Sequence, residues 1–477
     1  MIMQKHLARM TLREKCAQMV FLDFRFDQPD YERTMRLVRK EGVGGIRLRG
    51  GSIFDVTPLV NSYQRVAKFP LLVAASYEDG AGPQVYGATV FPPNLAVGAT
   101  GSEDLAFLKG RQMGLEARIL GVPWVLAPVA EASGSPAAGT RSFGQDPVLV
   151  GRLARATLRG LHAAGVLGCA KHFPPESAPE ESLERLLETG LLPFREAAPE
   201  ADAFLLGPRG LRALDPGSPA ALSRPVVGDF LRGRLGFQGL VAVDLAEAGS
   251  AAGFGAEPEA VVRAAIAGSD VLLGPGDPDL AIQALERAVR EGRLPEPVVD
   301  AAVDRILGVK EKRGLFRERL TDVRSVERLL KNEEHRRGAQ QIADAAVTLV
   351  RGEGVVEGAV EILGTPGGGA SPAAVFEKEL SRKVRIQEGA PVLVAAVFAG
   401  SPPSTAEVLA GRMREAEREG RRLLVVCFGN PREVREAPPS AGFVCAYGGD
   451  EYCQRAAARA LLGEISYSGR LPVALEA

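Results

Sequence analysis

The sequence predicts an α/β protein, a (β/α)8 TIM barrel followed by a smaller α/β sandwich domain. Two observations carry that prediction. Short apolar runs alternate with longer amphipathic segments over the first 280 residues, as βα units around a parallel sheet do. Eight such runs occur before residue 280 (QMVFL, GGIRL, LLVAA, PWVLAP, LGCAKH, AFLLG, LVAVD and DVLLG). Eight favours a closed barrel over an open doubly wound sheet, whose usual strand count is nearer six.

Between these runs lie helical stretches such as EDLAFLKGRQMGLEARIL and DPVLVGRLARATLRGLHAAG, and the connecting loops carry the Gly and Pro. At about 150 residues per domain, 477 residues suggest about three domains, but a barrel alone fills ~250. The barrel is expected over residues 1–315. The charged stretch from Arg317, RERLTDVRSVERLLKNEEHRRGAQQIADAA, reads as a helical connector over 316–345. The second domain is expected over 346–477, with strands AVTLV, AVEIL, VLVAAVF, RLLVVCFG and GFVCAYG. GTPGGG follows a strand but lacks the GxGxxG spacing of a dinucleotide site.

With 58 basic and 59 acidic residues the chain has no broad positive field for nucleic acid or an anionic membrane. The N-terminal MIMQKHLARMTLREK holds no long apolar core of a signal peptide, and no apolar stretch reaches ~18 residues. Cys16, Cys169, Cys427, Cys445 and Cys453 lie in apolar surroundings without C-x-x-C spacing, so buried reduced thiols and a cytoplasmic location are expected.

Chemistry in a parallel barrel collects at the C-terminal ends of the strands. That rule selects Glu78 and Asp79 after LLVAAS, Arg141 after PWVLAP, Lys171 and His172 after LGCA, and Asp244 after LVAV. Each has a plainer alternative: a lone aspartate after a strand also caps the next helix, and Arg141 also suits a surface loop.

Ten segments, among them MTLREKCAQMVF, FPPNLAVGAT, GTRSFGQDP, AKHFP, LGFQGLVAVD, AGSDVLLGPGDP and YSGRLPVAL, resemble glycoside hydrolase family 3, in its β-N-acetylglucosaminidase branch. They span almost the whole chain in the family's order. The resemblance implies hydrolysis of a terminal β-linked sugar, a carbohydrate as partner, and no metal or organic cofactor. It matches Asp244 to the catalytic nucleophile, and Arg141, Lys171 and His172 to positions that hold sugar hydroxyls. Glu78 belongs to the same clamp.

The chain departs from the family at two places. After KHFP the pattern expects a glycine-rich loop with a second histidine, the acid and base, and the chain runs PPESAPEESLERLL instead. Ser76 stands where a sugar-gripping aspartate is expected, and Gln84 where an arginine is. The proton then comes from Glu176, Glu180 or Glu181, or from elsewhere; alternatively the chain is a catalytically impaired barrel that binds a sugar or a protein. Glu180 and Glu181 also suit the first turn of a helix as dipole partners.

Overall fold

A computed structural model describes residues 6–133, 138–175, 182–246, 258–330, 332–364, 371–398, 403–434 and 437–475. The chain forms two compact units, Met1–Thr89 with Gly110–Glu131 and Ala154–Asn332, and Val90–Lys109 with Ala132–Leu153 and Glu333–Ala477. Segments 90–109 and 132–153, expected within the barrel domain, thus group with the second unit, and 316–332 with the first.

The first unit is a closed barrel of eight parallel strands in sequence order: β1 Val20–Arg25, β2 Gly45–Arg49, β3 Leu72–Ala75, β4 Trp124–Val125, β5 Leu167–Phe173, β6 Ala203–Leu206, β7 Leu240–Asp244 and β8 Val271–Leu273. β8 returns to β1 through Val20↔Leu272 and Phe21↔Leu273, which closes the ring. Every residue of β3, β4, β6, β7 and β8 is buried, as continuous apolar runs covered on both faces must be. Gly45 begins β2 because nothing larger fits: a Cβ there would stand 2.1 Å from the Leu72 carbonyl oxygen.

Two strand limits differ from the sequence expectation. The first run does not begin at Gln18, because a helix capped by Thr11 and Glu14 continues through Leu12–Met19. PWVLAP contributes only Trp124–Val125, its last position being a proline with no N–H for a ladder.

In the second unit six strands take the order β11-β10-β12-β13-β14-β9: β9 Thr348–Arg351, β10 Ala359–Gly364, β11 Arg385–Ile386, β12 Val392–Phe398, β13 Arg422–Phe428 and β14 Gly442–Cys445. Only β9 runs antiparallel, against β14. Alternate residues serve opposite faces. Val394, Ala396, Leu424 and Val426 pack in one apolar cluster, and Leu393, Ala395, Leu423 and Val425 in another. β11 escaped the sequence reading because both of its residues are exposed and carry no apolar pattern.

All five cysteines are buried, and they form no disulfide with one another. No helix among the described residues is long and apolar enough to cross a membrane.

Candidate active site

Residues on or just after six barrel strands form the site. β7 finishes on Asp244, which is 5% exposed. Its Oδ1 accepts the Ala246 N–H at 3.1 Å, and its Oδ2 accepts from Nη1 of Arg47. Arg49 Nη2 stands 3.8 Å from the same oxygen.

Arg47 lies on β2 opposite Asp23 of β1 in the parallel register, so both side chains project from the same level. Its Nε and Nη2 donate to the two Asp23 oxygens at 2.7 and 3.0 Å, a bidentate fork. Arg49 Nε adds a contact to Asp23 at 2.9 Å. One guanidinium therefore bridges two carboxylates. Burial works against the charge on Asp23, but the hydrogen bond from Arg47 and the charges of Arg47 and Arg49 outweigh it and hold the carboxyl below its ordinary range. Burial likewise weakens the hold of Arg47 on its proton, and Asp23 and Asp244 more than restore it.

β5 supplies the next two groups. Lys171, 2% exposed, meets Glu78 Oε1 at 2.5 Å across from the exit of β3. His172 Nδ1 lies 2.8 Å from Glu131 Oε1, and the His172 backbone N–H donates to that oxygen at 3.1 Å. Glu131 follows β4, whose exit is tied to β5 where the Ala130 N–H meets the Lys171 carbonyl at 2.6 Å. Lys171, His172, Glu78 and Asp244 thus all sit at the C-terminal ends of barrel strands, and the structure pairs Lys171 with Glu78. Asp79 is half-buried in the turn beyond Glu78. Gln84 donates to the Ser76 carbonyl at 2.6 Å, so its amide braces the β3 exit loop.

Arg141 belongs to the second unit, in a loop where the Asn94 amide holds its carbonyl at 2.8 Å. Glu176, Glu180 and Glu181 lie outside the described residues. The other histidines serve elsewhere: His6 stacks on Phe316, His162 pairs with Asp202 at 2.6 Å just before β6 begins, and His335 is buried in the second unit.

Sequence reasoning missed Asp23, Arg47, Arg49 and Glu131. The signal was present: Arg47 is a charge inside GGIRL, a run read as a buried strand, and Asp23 directly follows QMVFL, at a strand end. Such charges need partners close by.

The model of the glycosyl hydrolase family 3 N-terminal domain matches residues 11–309. A β-N-acetylglucosaminidase/β-glucosidase of Cellulomonas fimi is 30% identical over 372 residues, covering 73% of this chain and 66% of that protein. A β-hexosaminidase of Tolumonas auensis is 33% identical over 257 residues, covering 50% of this chain and 77% of that protein. The solved structure of a glycoside hydrolase family 3 β-N-acetylglucosaminidase from Paenibacillus sp. str. FPU-7 superposes with a TM-score of 0.85 at 26% identity, over 98% of this chain and 99% of that one. With a family match across the whole barrel and a buried aspartate ending its seventh strand, the chain belongs to glycosyl hydrolase family 3.

Proposed function

We propose that the chain is a retaining β-glycosidase that removes terminal β-linked N-acetylglucosamine, with Asp244 as nucleophile. The observation that carries this reading is the place of Asp244: buried, at the C-terminal end of β7, on the same barrel end as Lys171 and His172. Relatives bearing hexosaminidase names support an enzyme over a binding barrel. In the retaining route a carboxylate attacks the anomeric carbon while a second group protonates the departing oxygen. Lys171 and His172 supply donors for sugar hydroxyls, and Arg141 keeps the same role, implied by its GTRSFGQDP motif.

The proton donor is proposed among Glu176, Glu180 and Glu181. Supporting this, Asp23 is held ionised by two arginines, and Glu78 and Glu131 are engaged by Lys171 and His172. A carboxyl that must give up a proton is better placed away from such cations.

The test is a hydrolysis screen with chromogenic β-N-acetylglucosaminide, β-glucoside and β-xyloside substrates. Asp244→Asn is expected to abolish turnover, because an amide cannot form the glycosyl intermediate. One of Glu176→Gln, Glu180→Gln and Glu181→Gln is expected to lower turnover of natural glycans by roughly 10²- to 10⁴-fold. The same variant spares aryl glycosides of acidic phenols, whose departure needs no proton. Full activity in Asp244→Asn would end the reading.

A further inference from the structure

We propose that Arg47 is a positioning residue that sets the balance between the two half-reactions at Asp244, disfavouring formation of the covalent intermediate and hastening its breakdown. The proposal rests on the reading of Asp244 as nucleophile.

Arg47 is 4% exposed, yet it sits in the middle of a barrel strand between Ile46 and Leu48. A lone guanidinium there would be costly, and its fork is filled on both edges, by Asp23 on one and Asp244 on the other. The surroundings leave it room and little freedom. Gly274, just past β8 at φ +60°, faces the pair, and a Cβ there would stand 3.1 Å from Arg47 Nη2 and 3.4 Å from Asp23 Cβ. With Asp23 gripping it twice and Arg49 in turn bracing Asp23, the guanidinium cannot drift from Oδ2 of Asp244 without breaking the two-bond fork to Asp23.

Oδ2 being engaged, Oδ1 is the oxygen left to attack, since its single N–H contact among the described residues, from Ala246, leaves a lone pair open. In the first half-reaction an Oδ1 electron pair forms the bond to the anomeric carbon. The bond to the aglycone oxygen breaks with its pair, and that oxygen takes a proton from the acid. In the second, a water oxygen bonds to the anomeric carbon and loses a proton to the base, while the carbon–Oδ1 pair returns to Asp244. The side chain is anionic at both ends of this cycle and a neutral ester between. A cation hydrogen-bonded to Oδ2 stabilises the anion over the ester. Arg47 therefore makes Asp244 a weaker nucleophile and a better leaving group, so that ester formation limits the cycle.

The experiment uses the full chain with the 2,4-dinitrophenyl glycoside of N-acetylglucosamine, whose leaving group needs no proton. The parent protein should release dinitrophenolate without a burst. Arg47→Met should give a burst of about one equivalent per chain, a covalent adduct by intact mass, and breakdown of that adduct slowed by roughly 10- to 100-fold, the worth of one charge-assisted hydrogen bond. Arg47→Lys should fall between. The double variant Asp23→Asn/Arg47→Met, which leaves the net charge unchanged, should repeat the burst if the single variant folds poorly. Folded variants that slow without a burst, or failure of all three to fold, would reduce Arg47 to a structural ion pair and overturn the proposal. Turnover in Asp244→Asn would instead sink the nucleophile assignment.

Discussion

Lys171 has almost no water and one short ionic contact, to Glu78. A buried cation depends on such a partner: removing one member of a buried pair typically costs ~3–5 kcal/mol, because the other charge stays behind. Glu78→Gln is therefore expected to lower unfolding free energy by about that amount in a urea titration. The double variant Glu78→Gln/Lys171→Met should lose clearly less. A loss in Glu78→Gln below ~1 kcal/mol would mean that Lys171 is held by other groups. The residues at this mouth show why half of the site was legible. Asp244, Lys171 and His172 end their apolar runs, where a strand-end rule finds them. Arg47 lies inside its run, visible only as a charge out of place, Asp23 stands just after QMVFL, and Glu131 follows a strand reduced to two residues.

At the scale of elements, the eight barrel strands were legible because most of their residues are covered on both faces, which writes the greater part of each as an apolar run. Their limits were less so: a capping box at Thr11 and a proline at the end of PWVLAP shifted two of them, effects of single residues on backbone hydrogen bonding. The helix Glu296–Lys312 shows a charge its amphipathic pattern does not explain. Lys310 is fully buried, with its Nζ on Gln18 Oε1 at 2.7 Å, and burial pushes its ammonium down to about 7. In the unfolded chain the group titrates near 10.4. Between about 7 and 10.4 the unfolded state binds a proton that the folded state lacks, so stability rises with pH across that window. Below about 7 both states are charged and the folded state bears the full penalty. Thermal unfolding followed from pH 7 to 9 should show a rise of up to about 1.4 kcal/mol per pH unit that Lys310→Met removes. Parallel profiles for the two proteins would contradict it.

Across the whole molecule, near-equal numbers of acids and bases leave no net field to guide a substrate, and the charges act locally instead. A motif recurs in both units: one carboxylate held between two basic side chains. Asp23 lies between Arg47 and Arg49, Asp202 between His162 and Lys312, Asp270 between Arg232 and Arg305, and Glu361 between Arg412 and Arg421. Asp270 is the most enclosed, and complete burial pushes its carboxyl up despite both arginines. These clusters bear on heat. The cost of taking a charge out of water shrinks as temperature rises, while apolar burial gains little further. Replacing Arg232, Asp270 and Arg305 together by apolar residues of similar volume should leave stability at 25 °C equal or higher. The same variant should fall behind the parent as the solution is warmed, in unfolding free energies read from calorimetry at both temperatures. A warm habitat would then favour the very ion clusters that a cool one could replace with apolar packing.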